Sequence, residues 1–252
     1  MVVTIDSGGL KLRGHLSRPS DSAGTEVGRL GLVLCHGFPS GPRGALTSAE
    51  TYPELANKLA TEAGWVVLTF NFRGCGESEG EFSLGGWLAD LRAAIDYLFD
   101  VEGVAGVWLA GFSAGGALAI CAADEDERIG GVAALAAPGD FTDWAADPRR
   151  FLTYAREVGV VRTNDFPPDF DAWTRELREI RPVELAGKIP PRPLLLVHGT
   201  DDDVVPQSEA RLLADAASGE AELRTITGAG HRLRHDPRAV AVLIGWLDRQ
   251  HL

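Results

Sequence analysis

A chain of 252 residues, 45% hydrophobic and 24% charged, is long enough to bury one large core without a metal or disulfide staple. Its formal net charge of −12 argues against nucleic acid and anionic membrane as partners, since both repel an acidic surface. Cys35, Cys75 and Cys121 are widely spaced and form no C-x-x-C pair, so neither a disulfide framework nor a zinc site is suggested, and a reducing compartment is the simpler reading.

The first residues, MVVTIDSGGLKLRGHL, alternate instead of forming a long apolar stretch. They predict an N-terminal hairpin around SGG, not a signal peptide. RLGLVLCHG (29–37) reads as a strand buried on both faces that ends in a glycine loop. Tyr52, Leu55, Ala56 and Leu59 recur at helical spacing. WVVLTFNF (65–72) is a second buried strand, closed by RGCGESEG. Leu84, Trp87, Leu88, Leu91, Ile95 and Leu98 mark the apolar face of a helix, and GVWLAGF (106–112) leads into a second helix, AGGALAICAA. GGVAALAAP (130–138), PLLLVHG (193–199) and AELRTIT (221–227) complete the strands. Val240, Leu243, Ile244 and Leu247 close the chain as an amphipathic helix. No apolar run approaches the roughly 18 residues of a membrane span, so a cytoplasmic protein is expected.

This alternation predicts an α/β fold with a mostly parallel central sheet flanked by helices. Residues 139–190 break the rhythm. They are charged and helix-like, carry Phe141, Trp144, Phe151, Tyr154, Phe166, Phe170 and Trp173, and are punctuated by Pro167-Pro168 and Arg181-Pro182. A structureless loop of that length is unusual inside a domain. The segment is therefore expected to be a small helical cap inserted into a core formed by residues 1–138 and 191–252. Trp144, soon after a strand end, is the leading pocket candidate. A flat aromatic there would favour ligand groups with apolar bulk.

GFSAGG (111–116) puts Ser113 between a strand and a helix, with Gly111 and Gly115 two residues to either side. A turn that sharp admits only small neighbours and lifts the serine oxygen above the sheet edge, the geometry of a nucleophile elbow. The plain alternative is that Ser113 caps the helix. A nucleophilic serine needs a base and an orienting acid. HGTDDDVVP (198–206) and GAGH (228–231) supply candidates after the next strands, on the edge where ligands bind. The acids Asp201, Asp202 and Asp203 compete there, with Asp140 as an outside candidate. His231 is the favoured base, since His36 and His198 look like strand-end residues that pack locally. His231 and His235 are four apart, but HRLRH lacks the glutamate of H-E-x-x-H, so no metal site is assigned. The glycines of HGFPSG (36–41) permit a tight turn with backbone N–H groups facing the site.

Taken together, HGF, R-G-x-G-x-S (Arg73 to Ser78), G-F-S-A-G-G, HGTDDDVVP and GAGH, in order and each after a strand, resemble the α/β-hydrolase superfamily over essentially the whole chain. The resemblance implies the triad Ser113, Asp202 and His231. It also implies that the backbone amides of Phe38 and Ala114 form the oxyanion hole, with Phe38 able to wall the pocket as well. It implies a serine hydrolase, by default a carboxylesterase, acting on a small-molecule ester or acyl substrate without a cofactor. A peptidase, a thioesterase or a C–C bond hydrolase uses the same triad. A ligand-binding receptor on this fold is the non-enzymatic alternative. The glycines of RGCGESEG imitate a dinucleotide loop but are out of register and are read as architecture.

Overall fold

The alternation at the N-terminus folds as predicted. β1 (Val2–Ser7) and β2 (Leu10–Ser17) pair antiparallel, and Val3, Ile5, Leu12 and Leu16 are buried. Gly8 and Gly9 between them both have positive φ, which suits the twist of a tight hairpin. The computed structural model describes residues 1–19 and 28–251; residues 20–27 and Leu252, both within the predicted core, lie outside the described residues.

Six further strands follow: β3 (Arg29–Cys35), β4 (Val66–Phe70), β5 (Val104–Phe112), β6 (Ile129–Leu135), β7 (Leu194–Gly199) and β8 (Glu222–Ile226). The sheet order is β1-β2-β4-β3-β5-β6-β7-β8. β2 joins β4 antiparallel, and every pair from β4 to β8 is parallel.

The continuous apolar runs have a direct cause. Leu32 and Leu34 face one hydrophobic cluster, Val33 and Cys35 the other, and all four are fully buried. A strand covered on both sides leaves no position for a polar side chain. α1 (Tyr52–Ala63) and the C-terminal helix cover the first face. α2 (Leu84–Phe99) and α3 (Ala114–Glu125) cover the second. Between β6 and β7 lie α4 (Thr142–Ala146), α5 (Pro148–Val158), α6 (Phe170–Glu179) and α7 (Pro182–Leu185). α7 packs on α3 and on α8 (Gln207–Ala216), whereas α4 packs on α5 and α6. α9 (Pro237–Asp248) ends the core. Among the described residues, no helix is long and apolar enough to cross a membrane.

The glycine loop after β4 is architecture. Arg73 pairs through its guanidinium and its own N–H with the fully buried carboxylate of Asp90, which also accepts from Ser7. Trp87 donates to the Arg73 carbonyl at 3.0 Å and stacks on Phe72 at 4.5 Å. Ser78 receives the Arg13 amide and donates to the Asn71 carbonyl. The loop thus ties β2, β4 and α2 together.

β3 sits between β4 and β5, so the chain leaves it in one direction and later crosses to the other side. The crevice at the carboxyl ends of β3 and β5 is a topological switch point, where open α/β sheets bind ligands.

Candidate active site

Ser113 joins β5 to α3 with φ 53° and ψ −127°. A non-glycine residue held in this region costs about 1–3 kcal/mol, which its surroundings must supply. Its N–H donates to the Leu135 carbonyl at 2.8 Å, and its carbonyl accepts from Gly116 and Ala117 at 2.9 and 3.1 Å. The side chain makes no cap hydrogen bond, so the helix-cap reading does not hold. The flanking glycines are required by space. A Cβ on Gly111 would overlap the backbone of Gly115 and Gly116, and one on Gly115 would overlap the His36 carbonyl.

The loop after β3 lies directly against the serine. A Cβ on Gly37 would come 2.9 Å from the Ser113 Cβ and 3.0 Å from the Phe112 carbonyl. His36 is wholly buried and accepts the Phe72 N–H on Nε2 at 3.2 Å, so its hydrogen is on Nδ1, which donates to the Gly37 carbonyl at 2.8 Å. In a trans peptide the carbonyl and the following N–H point in opposite directions. Fixing the Gly37 carbonyl therefore fixes the Phe38 N–H. That N–H and the Ala114 N–H have no acceptor among the described residues. Burial holds the His36 pKa down at about 4; the bond to Gly37 opposes this and the charge of Arg234 adds to it.

β7 and β8 position the acid and the histidine. Asp202 Oδ1 accepts the Val204 and Val205 amides at 3.0 and 2.8 Å. His231 Nδ1 lies 2.9 Å from Oδ2 and 3.1 Å from Oδ1. The two loops are laced together by Asp201 N–H to Ala229 O at 3.0 Å and Gly228 N–H to Thr200 Oγ1 at 2.8 Å. Burial works to raise the Asp202 pKa. Hydrogen bonds from His198, His231, Val205 and Val204 outweigh it and hold the carboxyl well below the usual range, so Asp202 is ionised. Asp201 and Asp203 are exposed and do not contact His231, and Asp140 is spent on Thr142 at the start of α4.

The sequence candidates therefore meet in part by direct contact. Asp202 and His231 are hydrogen-bonded, Ala114 follows Ser113 directly, and Gly37, the residue before Phe38, lies against the serine. His231 Nε2 and Ser113 Oγ have no protein partner among the described residues. The register Phe112–Leu135–Val197 places the Ser113 and Asp202 loops two strands apart, about 10 Å. An imidazole with a hydrogen bond at each nitrogen spans roughly 8 Å of that. Such bonds are often long without substrate. Among the described residues no cluster of three His, Cys, Asp or Glu side chains could hold a metal. Burial pushes the Cys75 thiol up to about 12, so it is no rival nucleophile.

Phe38 is the centre of an aromatic wall. Its ring lies 5.1 Å from Phe82, 5.8 Å from Trp87, 5.0 Å from Trp144 and 5.4 Å from Phe151. Trp144 is half-buried and stacks on Phe151 at 4.3 Å. Helices α4 to α6 are bound to the core beside it. The Phe82 N–H donates to Val160 O at 3.0 Å, Trp173 Nε1 to Phe82 O at 3.1 Å, and the Gly85 N–H to Glu176 at 3.0 Å. Phe82 was not singled out from the sequence, and Trp87 was read only as part of a helix's apolar face, because their contacts with Phe38 are remote in the chain.

A sequence model of the alpha/beta hydrolase family matches residues 32–243. An uncharacterised 31.7 kDa protein of Escherichia coli, from the traX-finO intergenic region, is 28% identical across 88% of this chain and 91% of its own. Est1E from Butyrivibrio proteoclasticus, solved with ferulic acid bound, superposes with a TM-score of 0.72 at 23% identity, over 99% of this chain and 97% of that one. The esterase Pf2001 of Pyrococcus furiosus has a TM-score of 0.69 at 20% identity, over 99% and 90%. At these identities the likeness to the solved structures is one of fold.

Proposed function

The chain belongs to the alpha/beta hydrolase family, and on that premise we propose that it is a serine hydrolase cleaving a small-molecule carboxylic ester with Ser113, His231 and Asp202. The observation that carries this is the bond from His231 Nδ1 to the ionised, buried Asp202, on the same sheet edge as a serine held at positive φ with its oxygen uncommitted. His231 Nε2 takes the Ser113 proton as Oγ attacks the ester carbonyl carbon. Asp202 holds the imidazole in the Nδ1–H tautomer and offsets the charge of the imidazolium. The Phe38 and Ala114 amides receive the oxyanion, and the N-terminus of α3 favours the same charge. His231 then protonates the departing alcohol. Water, deprotonated by His231, cleaves the acyl-serine.

Residues 139–190 serve as the cap in this reading, with α4 to α6 as its working part. The wall of Phe38, Trp144 and Phe151 supports an acyl or alcohol group with apolar, flat bulk. That a structural relative holds ferulic acid, an aromatic carboxylic acid, supports an aromatic acyl group. The test is hydrolysis of a panel of alkyl and aryl carboxylic esters beside matched thioesters and amides. The expected result is highest kcat/KM on aryl-bearing esters, abolished by Ser113→Ala. Turnover of the thioesters or amides alone would overturn the ester assignment.

A further inference from the structure

The dipeptide His-Gly occurs at two strand ends, at 36–37 and 198–199. His198 has no step in the reaction above. Its side chain is nonetheless only 1% exposed, and its Nε2 lies 3.3 Å from Oδ2 of Asp202. We propose that His198 is a positioning residue that aims the Asp202 carboxylate at His231, an inference that rests on the triad reading given above.

The geometry around the ring fixes its state. Nε2 faces two acceptors, the Val205 carbonyl at 2.9 Å and the Asp202 carboxylate, so it carries the hydrogen and donates. Nδ1 is buried with no partner. The ring therefore meets Val205 and Asp202 through Nε2 alone.

The bonds close on each other. His198 holds the Val205 carbonyl, and the amides of Val204 and Val205 in the same turn grip Oδ1. Oδ2 is left between the two imidazoles, 2.9 Å from His231 Nδ1. Oδ1 is thus anchored by two backbone amides, and Oδ2, free of them, makes the shorter of the two contacts with the base. Without His198 the Val205 carbonyl is buried without a donor, the turn relaxes, and Asp202 is free to rotate about its terminal bond.

The test measures kcat on 4-nitrophenyl acetate per active site, counted by titration with a fluorophosphonate, for the wild type, H198L, H198Q, D202N and the H198L/D202N pair. H198L is expected to lower per-site kcat roughly 10- to 100-fold, the range for losing a hydrogen bond to a charged group, with KM little changed. H198Q keeps a donor at the same reach and should recover to within about threefold of wild type. Because His198 acts through Asp202, adding H198L to D202N should cost less than about a further twofold. A purely structural role would lower the titratable fraction and leave per-site kcat intact, and that result overturns the inference. So does a full multiplicative loss in the D202N background. If H198L does not fold, H198N, whose amide stops short of Val205, takes its place in every arm. Unchanged kcat in D202N alone would instead remove the triad reading, a distinct outcome.

Discussion

Protonation of His36 should set the acid stability of this fold. The imidazole is buried among Phe72, Trp87 and Tyr52, with ring centroids at 5.0, 5.5 and 6.0 Å, and Arg234 adds repulsion. Its pKa falls from the ordinary 6.5 to about 4 on folding. Between those values the unfolded chain binds a proton that the folded chain does not. Stability therefore falls as pH drops below about 6.5, and the loss is complete near pH 4. The shift corresponds to about 3 kcal/mol, since one pKa unit is about 1.4 kcal/mol. His36→Asn is the control, because its amide can still donate to the Gly37 carbonyl but does not titrate. Urea unfolding followed by tryptophan fluorescence at a series of pH values measures both chains. Carboxylates such as Asp202 protonate in both, so they cancel in the difference. The wild-type advantage over H36N should shrink by about 3 kcal/mol between pH 7 and pH 4. A constant difference across that range would refute the reasoning.

Asp202→Asn should lower kcat on the order of 10³- to 10⁴-fold by stabilising the wrong imidazole tautomer, while Asp201→Asn and Asp203→Asn stay near wild type in the same steady-state assay. Gly37→Ala forces the oxyanion loop away from Ser113, and kcat should fall about 100-fold or more, as for loss of an oxyanion donor, with the circular-dichroism spectrum retained. Trp144→Ala removes the face stacked on Phe151 and should shift relative kcat/KM from bulky aryl esters towards acetyl esters; an unchanged preference would take Trp144 out of the pocket.

Strands buried on both faces announce themselves as continuous apolar runs, which is why RLGLVLC and PLLLVHG were legible before the fold. The elbow was legible too, because Gly111 and Gly115 answer to backbone approach that no other residue permits. The choice among three adjacent aspartates came only from resemblance. Its physical reason, two backbone amides of the same turn closing on Oδ1, depends on φ and ψ that the side chains do not encode. His36 and His198 were expected to bond locally, and they do. That their acceptors include the Gly37 carbonyl and the Asp202 carboxylate was not readable, since a carbonyl acceptor leaves no mark in the sequence. The wall around Phe38 was equally hidden, because Phe82 and Trp87 around the start of α2 and Phe151 in α5 reach it from two segments remote in the chain.

The central claim is that Ser113 is an activated nucleophile, and covalent labelling tests it most directly. An activated serine displaces fluoride from an alkyl fluorophosphonate and keeps the phosphonyl group on Oγ. Incubation of the native chain with such a probe, followed by digestion and mass spectrometry, should place one adduct per chain on the peptide containing Ser113, with none in S113A. Folded protein that remains unlabelled, or an adduct on another residue, would contradict the account.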